Sequence, residues 1–166
     1  MVNIIVQLSK YVMILLIIMY TFLCFSIFGY QDRKRYLLRR QNILMFLMHA
    51  IAFAVMYLQT DDIKMLAFYL MQVVLFGATI ILYTLLYPKV SRLVVNNMCM
   101  LLCIGFIMLT RLNYSYAIKQ FMIAAAGIAC SLVVPVIIRK FKFLAEWRKF
   151  YAVIGIFSLA AVVVWG

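Results

Sequence analysis

Residues Met108 to Gln120 read MLTRLNYSYAIKQ, one polar turn set between two long apolar runs. Such a turn decides the fold class, because about twenty apolar residues in a helix cross the hydrocarbon of a bilayer while their polar connection stays in water. On one side of the turn lies the uncharged run Leu93 to Thr110, and on the other Gln120 to Ile138. The turn itself carries Arg111 and Lys119, and neither has an acid nearby in sequence.

Outward from that turn the same grammar repeats. Uncharged runs extend over Tyr11 to Gln31, Gln41 to Thr60, Met65 to Pro88, Leu93 to Thr110, Gln120 to Ile138 and Phe150 to Gly166. A single Lys, Arg or Asp at the centre of a crossing costs about 2.5 to 3.5 kcal/mol, so charge-free runs of this length mark membrane spans. The expectation is an all-α polytopic transmembrane bundle of six helices. Hydrophobic residues make up 69% of the chain and charged residues 12%, a surface no soluble domain could cover.

The net charge of +12 would point to nucleic acid in a soluble protein. Here the cations cluster between uncharged runs, the signature of insertion bias, and no nucleic-acid partner is expected. The connections after the first, third and fifth spans hold twelve basic residues: Arg33, Lys34, Arg35, Arg39, Arg40, Lys89, Arg92, Arg139, Lys140, Lys142, Arg148 and Lys149. The other side holds four, Lys10, Lys64, Arg111 and Lys119. Positive-inside bias therefore puts the first connection in the cytoplasm and the N-terminus outside. The first run is longer than a signal-peptide core and is followed, not preceded, by its basic cluster, so it is expected to stay in the mature protein. The apolar end at Trp165-Gly166 reads as the edge of a fragment.

Span five contains Ala124, Ala125, Ala126, Gly127, Ala129 and Ser131, small residues that let helix backbones approach and that place this helix centrally in the expected bundle. Pro135 is expected to kink its inner end. The loop Asp32 to Arg40 and the aromatic-basic loop Arg139 to Lys149 carry charge that an anionic lipid or a cytoplasmic partner would attract. Topology setting accounts for them more simply. Phe141, Phe143, Leu144 and Trp147 make the second loop a short amphipathic segment for the inner surface.

Few residues qualify for chemistry. His49 in span two has no second His and no intramembrane carboxylate, and reads as a neutral, hydrogen-bonded packing residue; Gln72 reads likewise as a helix-bridging amide. Cys99 and Cys103 share a helix face, but two soft ligands do not define a zinc site, and all four cysteines fall in apolar runs as packing residues. No metal and no cofactor is expected, and no catalytic residue is identified. The four acids, Asp32, Asp61, Asp62 and Glu146, lie in polar connections, so no general acid or base is in reach of a membrane site. Arg111, Lys119 and Gln120 are the candidates for substrate binding. Lys119 in the first turn of span five would face the positive helix end, which an anion would offset. Lipid head groups reached by snorkelling are the simpler anion; the phosphate of a lipid-linked substrate, or a carboxylate from elsewhere in the protein, is the sharper one.

From Leu101 to Gly166 the chain resembles the start of the SEDS family, the shape, elongation, division and sporulation proteins. The residues that carry the likeness are Met108 to Leu112 (MLTRL) closing a helix, a short outer turn, Ala117 to Gln120 (AIKQ) opening the next, Gly127, a basic-aromatic inner loop and the apolar run Tyr151 to Gly166. It departs at Asn113-Tyr114, where an acidic or amide residue followed by proline is expected. The resemblance divides the chain into an N-terminal extension of three spans, 1–92, and the first three helices of a truncated polymerase domain, 93–166. It implies a peptidoglycan glycosyltransferase of the bacterial plasma membrane, polymerising a lipid-linked disaccharide precursor beside a partner transpeptidase in division, elongation or sporulation. The family's catalytic acid lies in a later external loop, so no residue here inherits that role. A lipid-substrate flippase or transporter fragment, or a non-catalytic membrane scaffold, are the other classes compatible with these residues.

Overall fold

The computed structural model describes residues 2–29, 33–140 and 148–165. Among them are six α-helices and no strand: α1 (Val2–Gly29), α2 (Lys34–Thr60), α3 (Ile63–Leu86), α4 (Arg92–Leu112), α5 (Tyr114–Lys140) and α6 (Arg148–Trp165). The all-α architecture agrees with the charge-free runs. Five of the helices, rather than six, are long and apolar enough to cross a membrane: Ile4–Gly29, Lys34–Thr60, Ile63–Leu86, Arg92–Leu112 and Tyr114–Ile137. The exception among the described residues is α6. It is described over 18 residues and opens on Arg148 and Lys149. The amphipathic segment expected within Arg139 to Lys149 falls largely on 141–147, outside the described residues.

The chain forms two compact units, Met1–Ala125 and Ala126–Gly166. In the first, the helices begin earlier than their charge-free runs. The first helix starts at Val2 and takes Ser9 and Lys10 into its body. Absence of charge measures how much of a helix suits hydrocarbon, whereas backbone hydrogen bonding continues into the interface, where a long Lys side chain reaches water.

Local chemistry fixes the corners. Between α2 and α3, Asp61 takes a left-handed conformation at φ 50° and its N–H donates to the Tyr57 carbonyl, closing α2. The Asp62 carboxylate then accepts from the Lys64 N–H at 2.9 Å and caps α3. Pro88 follows the last residues of α3, where a helix cannot continue.

Lipid is as apolar as leucine, so the first unit cannot be assembled by hydrophobic burial between helices; packing shape and polar pairing must do it. The centre is held by α2 and α4, with α1 against α2 and α3 against both α2 and α4. Six rings close a circuit through the interior. Phe53 meets Phe68 at 6.3 Å, Phe68 meets Phe121 at 5.7 Å, Phe121 meets Phe106 at 6.0 Å, Phe106 meets Phe76 at 6.1 Å, Phe76 meets His49 at 5.6 Å and His49 returns to Phe53 at 4.9 Å. Tilted and edge-to-face pairs of this kind are worth about 0.5 to 1.5 kcal/mol each beyond area. Met45, Met48, Met56 and Met100 fill the gaps around them.

The second unit holds Ala126, Gly127, Ala129 and Ser131 of α5. Ala126, Gly127 and Ala129 are exposed, and a Cβ added at Gly127 would meet nothing within 4 Å. The helix runs through Pro135 without interruption. What anchors α5 within the first unit is its opening stretch, where Ala117 and Phe121 are buried and Tyr114 packs its ring on Phe68 at 5.5 Å.

Candidate functional site at the corner between α4 and α5

The joint between α4 and α5 is one residue long. The Asn113 N–H donates to the Leu109 carbonyl and ends α4, while its side-chain oxygen accepts from the N–H groups of Ser115 at 3.0 Å and Tyr116 at 3.3 Å. This is an N-cap, and it explains why α5 begins at Tyr114 rather than at Gln120. A short side chain with an acceptor oxygen, as in Asn, Asp, Ser or Thr, is what this position needs.

The early start corrects the reading of Lys119. It stands in the second turn of α5, where the helix dipole has largely faded, so the helix end gives it no special demand for an anion. Its ammonium lies 5.7 Å from the centroid of the Tyr116 ring on its own helix, within the range of a cation–π contact.

Arg111, Lys119 and Gln120 are all exposed and do not converge. Arg111 lines a small cavity of about 110 Å³ together with Ser9, Lys10 and Gln59, so α1, α2 and α4 meet around two cations there. Gln120 lines a different, apolar groove of about 490 Å³ against Leu101, Gly105, Met108 and Leu112 of α4. The groove offers a long hydrocarbon surface with one amide at its edge, a fit for a lipid chain rather than for a sugar.

The polar residues that do converge are inside the helices: His49 and Gln72, expected as separate packing groups, and Tyr20, Cys24, Gln41, Asn96 and Asn97. His49 Nε2 and Gln72 Oε1 are 2.9 Å apart, so the imidazole does have a partner in this chain, an amide on the neighbouring helix. Nearer the basic end, the Tyr20 hydroxyl donates to Asn97 Oδ1 at 2.9 Å, and the Cys24 thiol reaches the same oxygen at 3.3 Å. Gln41 Nε2 donates to Cys24 Sγ at 3.2 Å, and Asn96 Nδ2 bonds the Leu38 carbonyl and Gln41 Oε1, each at 3.3 Å. These bonds tie α1, α2 and α4 together where apolar packing alone gives no preferred register. An amide inside a charge-free run is the signal for such a link. Cys99 and Cys103 are fully buried in the apolar core.

Searches against family models, curated proteins and solved structures gave no match to this chain.

Proposed function

We propose that this chain is the N-terminal membrane part of a SEDS-type peptidoglycan glycosyltransferase, held in a bacterial plasma membrane with its N-terminus outside. In this reading 1–92 is an added three-helix extension and 93–166 supplies the first three helices of the polymerase, with α6 as the sixth crossing. The observation that carries it is the corner itself. Arg111-Leu112 closes one helix, and Ala117, Lys119 and Gln120 lie on the next, across a joint of one residue capped by an amide.

Basic residues crowd one end of the helices, which supports the orientation. In this orientation Asn113, Arg111 and Lys119 lie at the outer face, where a lipid-linked disaccharide would be polymerised next to a transpeptidase. The exposed cations Arg111 and Lys119 would serve the substrate's phosphates by charge, and Gln120 at the groove would meet its lipid chain.

The test is glycan polymerisation from lipid-linked disaccharide by the product of the complete reading frame, with Arg111→Ala and Lys119→Ala beside it. At least a ten-fold loss in each variant, with unfolding temperature unchanged, is expected. A complete product that folds and makes no glycan ends this reading.

A further inference from the structure

At the end opposite the α4–α5 corner, the first turns of α2 and the start of α4 enclose a cavity of about 460 Å³ with α3. Arg35, Arg39 and Arg92 line it, together with the amides of Asn42 and Asn96. A second cleft of about 630 Å³ shares Arg35 and Arg92 and adds Arg33 and Lys34. Five cations, from α2, its N-cap and α4, therefore line two clefts that share Arg35 and Arg92.

No acidic side chain among the described residues lines the hollow, and the one partial negative charge brought to its wall is the C-terminal end of α3 at Tyr83 and Thr84. The described acids are Asp61 and Asp62, and both sit in the turn between α2 and α3, at the far end of those helices. The hollow also receives two helix N-termini, those of α2 and α4. Neither has an acid in its first turn, and neither N-cap residue, Arg33 or Ser91, makes a side-chain capping bond. Their free N–H groups and dipoles add to the positive field. Asn42 lines the cavity, and its Oδ1 is buried with no partner among the described residues, a vacant acceptor for a hydroxyl.

The rest of the wall mixes the aliphatic Leu38, Ile80, Val90 and Val95 with Tyr83 and Thr84 of α3. A site for a small soluble anion would be polar all round. A site with three arginines beside four aliphatic side chains, between membrane helices, suits an amphiphile with an anionic head. We infer that this hollow binds an anionic glycerophospholipid, its phosphate held by Arg35, Arg39 and Arg92 and a head-group hydroxyl by Asn42. Guanidinium forks match phosphate oxygens two at a time, which is why three arginines make a stronger case than lysines would. The inference is independent of the polymerase reading and of which side of the membrane this end faces.

The experiment is native mass spectrometry of the full chain released from neutral detergent, with phosphatidylglycerol and phosphatidylcholine offered at equal concentration. Retention of phosphatidylglycerol over phosphatidylcholine is expected. In Arg35→Gln/Arg39→Gln/Arg92→Gln, phosphatidylglycerol is expected to bind about a hundred-fold more weakly, at roughly a decade or less of affinity per basic residue. Lys10→Gln/Lys64→Gln, which removes cations from the opposite end, is expected to leave binding within two-fold.

Equal loss in both variants, or none in the first, overturns the assignment. Full displacement of the lipid by millimolar inorganic phosphate overturns the choice of a lipid, because the hollow would then be a soluble-anion site. A measurement on the unaltered chain covers any failure of the triple variant to fold. Phenylglyoxal modification, mapped by peptide, is expected to be suppressed at Arg35, Arg39 and Arg92 by phosphatidylglycerol and not by phosphatidylcholine, with Arg111 modified equally in both. Equal modification at all four arginines refutes the site.

Discussion

His49 and Gln72 are bonded to each other between α2 and α3, Nε2 to Oε1 at 2.9 Å, and both side chains are fully buried. With the amide oxygen toward the ring, the imidazole N–H donates. His49 Nδ1 and Gln72 Nε2 are left without partners among the described residues. Phe53, Tyr69 and Phe76 pack their rings around the imidazole at 4.9, 5.0 and 5.6 Å. One polar bond thus stands inside an aromatic shell that gives it no alternative.

That isolation makes the pair strongly coupled. His49→Leu or Gln72→Met alone strands the other group, and each is expected to cost about 1 to 2 kcal/mol. The double variant is expected to fall within about 1 kcal/mol of the parent, because replacing both members removes the orphaned atoms as well. Reversible unfolding in mixed detergent, run as a double-mutant cycle, measures the difference; simple additivity would show that the bond is not formed.

The link between α1 and α4 tests polar pairing at the basic end. Asn97→Leu removes the acceptor of both Tyr20 and Cys24 and is expected to destabilise by about 1 kcal/mol. Tyr20→Phe in the same background is expected to cost little more, since its hydroxyl has already lost its partner. A thermal unfolding series of the parent, each single variant and the double variant reads this directly.

Phe106 touches the rings of Phe76 and Phe121 and is 1% exposed. In water, truncating it would lose transfer energy as well as packing; in lipid the packing part remains. At ~24 cal/mol per Å³, a void of about 100 Å³ left by Phe106→Ala predicts a loss of roughly 2 kcal/mol. Phe106→Leu, which keeps most of the volume, is expected to lose less than half of that, and the ratio of the two in a denaturant titration is the check.

Asn113→Ala deletes the cap that opens α5 and is expected to cost about 0.5 to 2 kcal/mol, whereas Asn113→Asp retains the acceptor and is expected to be near neutral. Circular dichroism melts of both variants separate capping from the mere presence of a polar residue.

Sidedness is read with cysteines. Ser91 precedes α4 and Asn113 follows it, both are exposed, and the helix between them is 21 residues, about 32 Å at 1.5 Å per residue. In a background lacking the four native cysteines, an impermeant maleimide applied to intact cells is expected to label Asn113→Cys and to spare Ser91→Cys. The reverse pattern would put the N-terminus inside.

The helical hairpins were legible because charge-free length maps simply onto hydrocarbon thickness. Starting points were less so. Tyr114 opens α5 because of a bond between a side chain and the backbone two residues on, which a count of charges does not register. The partnership of His49 with Gln72 joins residues 23 apart on different helices, a relation with no periodic trace in sequence. Within the first unit, α5 is seated by Ala117, Phe121 and Tyr114. Ring shape chose the contact, and ring shape is invisible to a scale that scores only size and polarity. The convergence of Arg35, Arg39 and Arg92 on one cavity likewise depends on α4 starting beside α2, a fact of topology rather than of either segment.

A joint of a single residue has no slack. Each residue of a helix advances the direction of its side chains by about 100°, so lengthening the link at Asn113 by one would swing Ala117 and Phe121 out of register with Phe68 and Phe106. Descendants of this gene are free to change which capping side chain stands at that point, but a gain or loss of length there is expected to be purged far more strictly than in the looser passage from Tyr87 to Ser91.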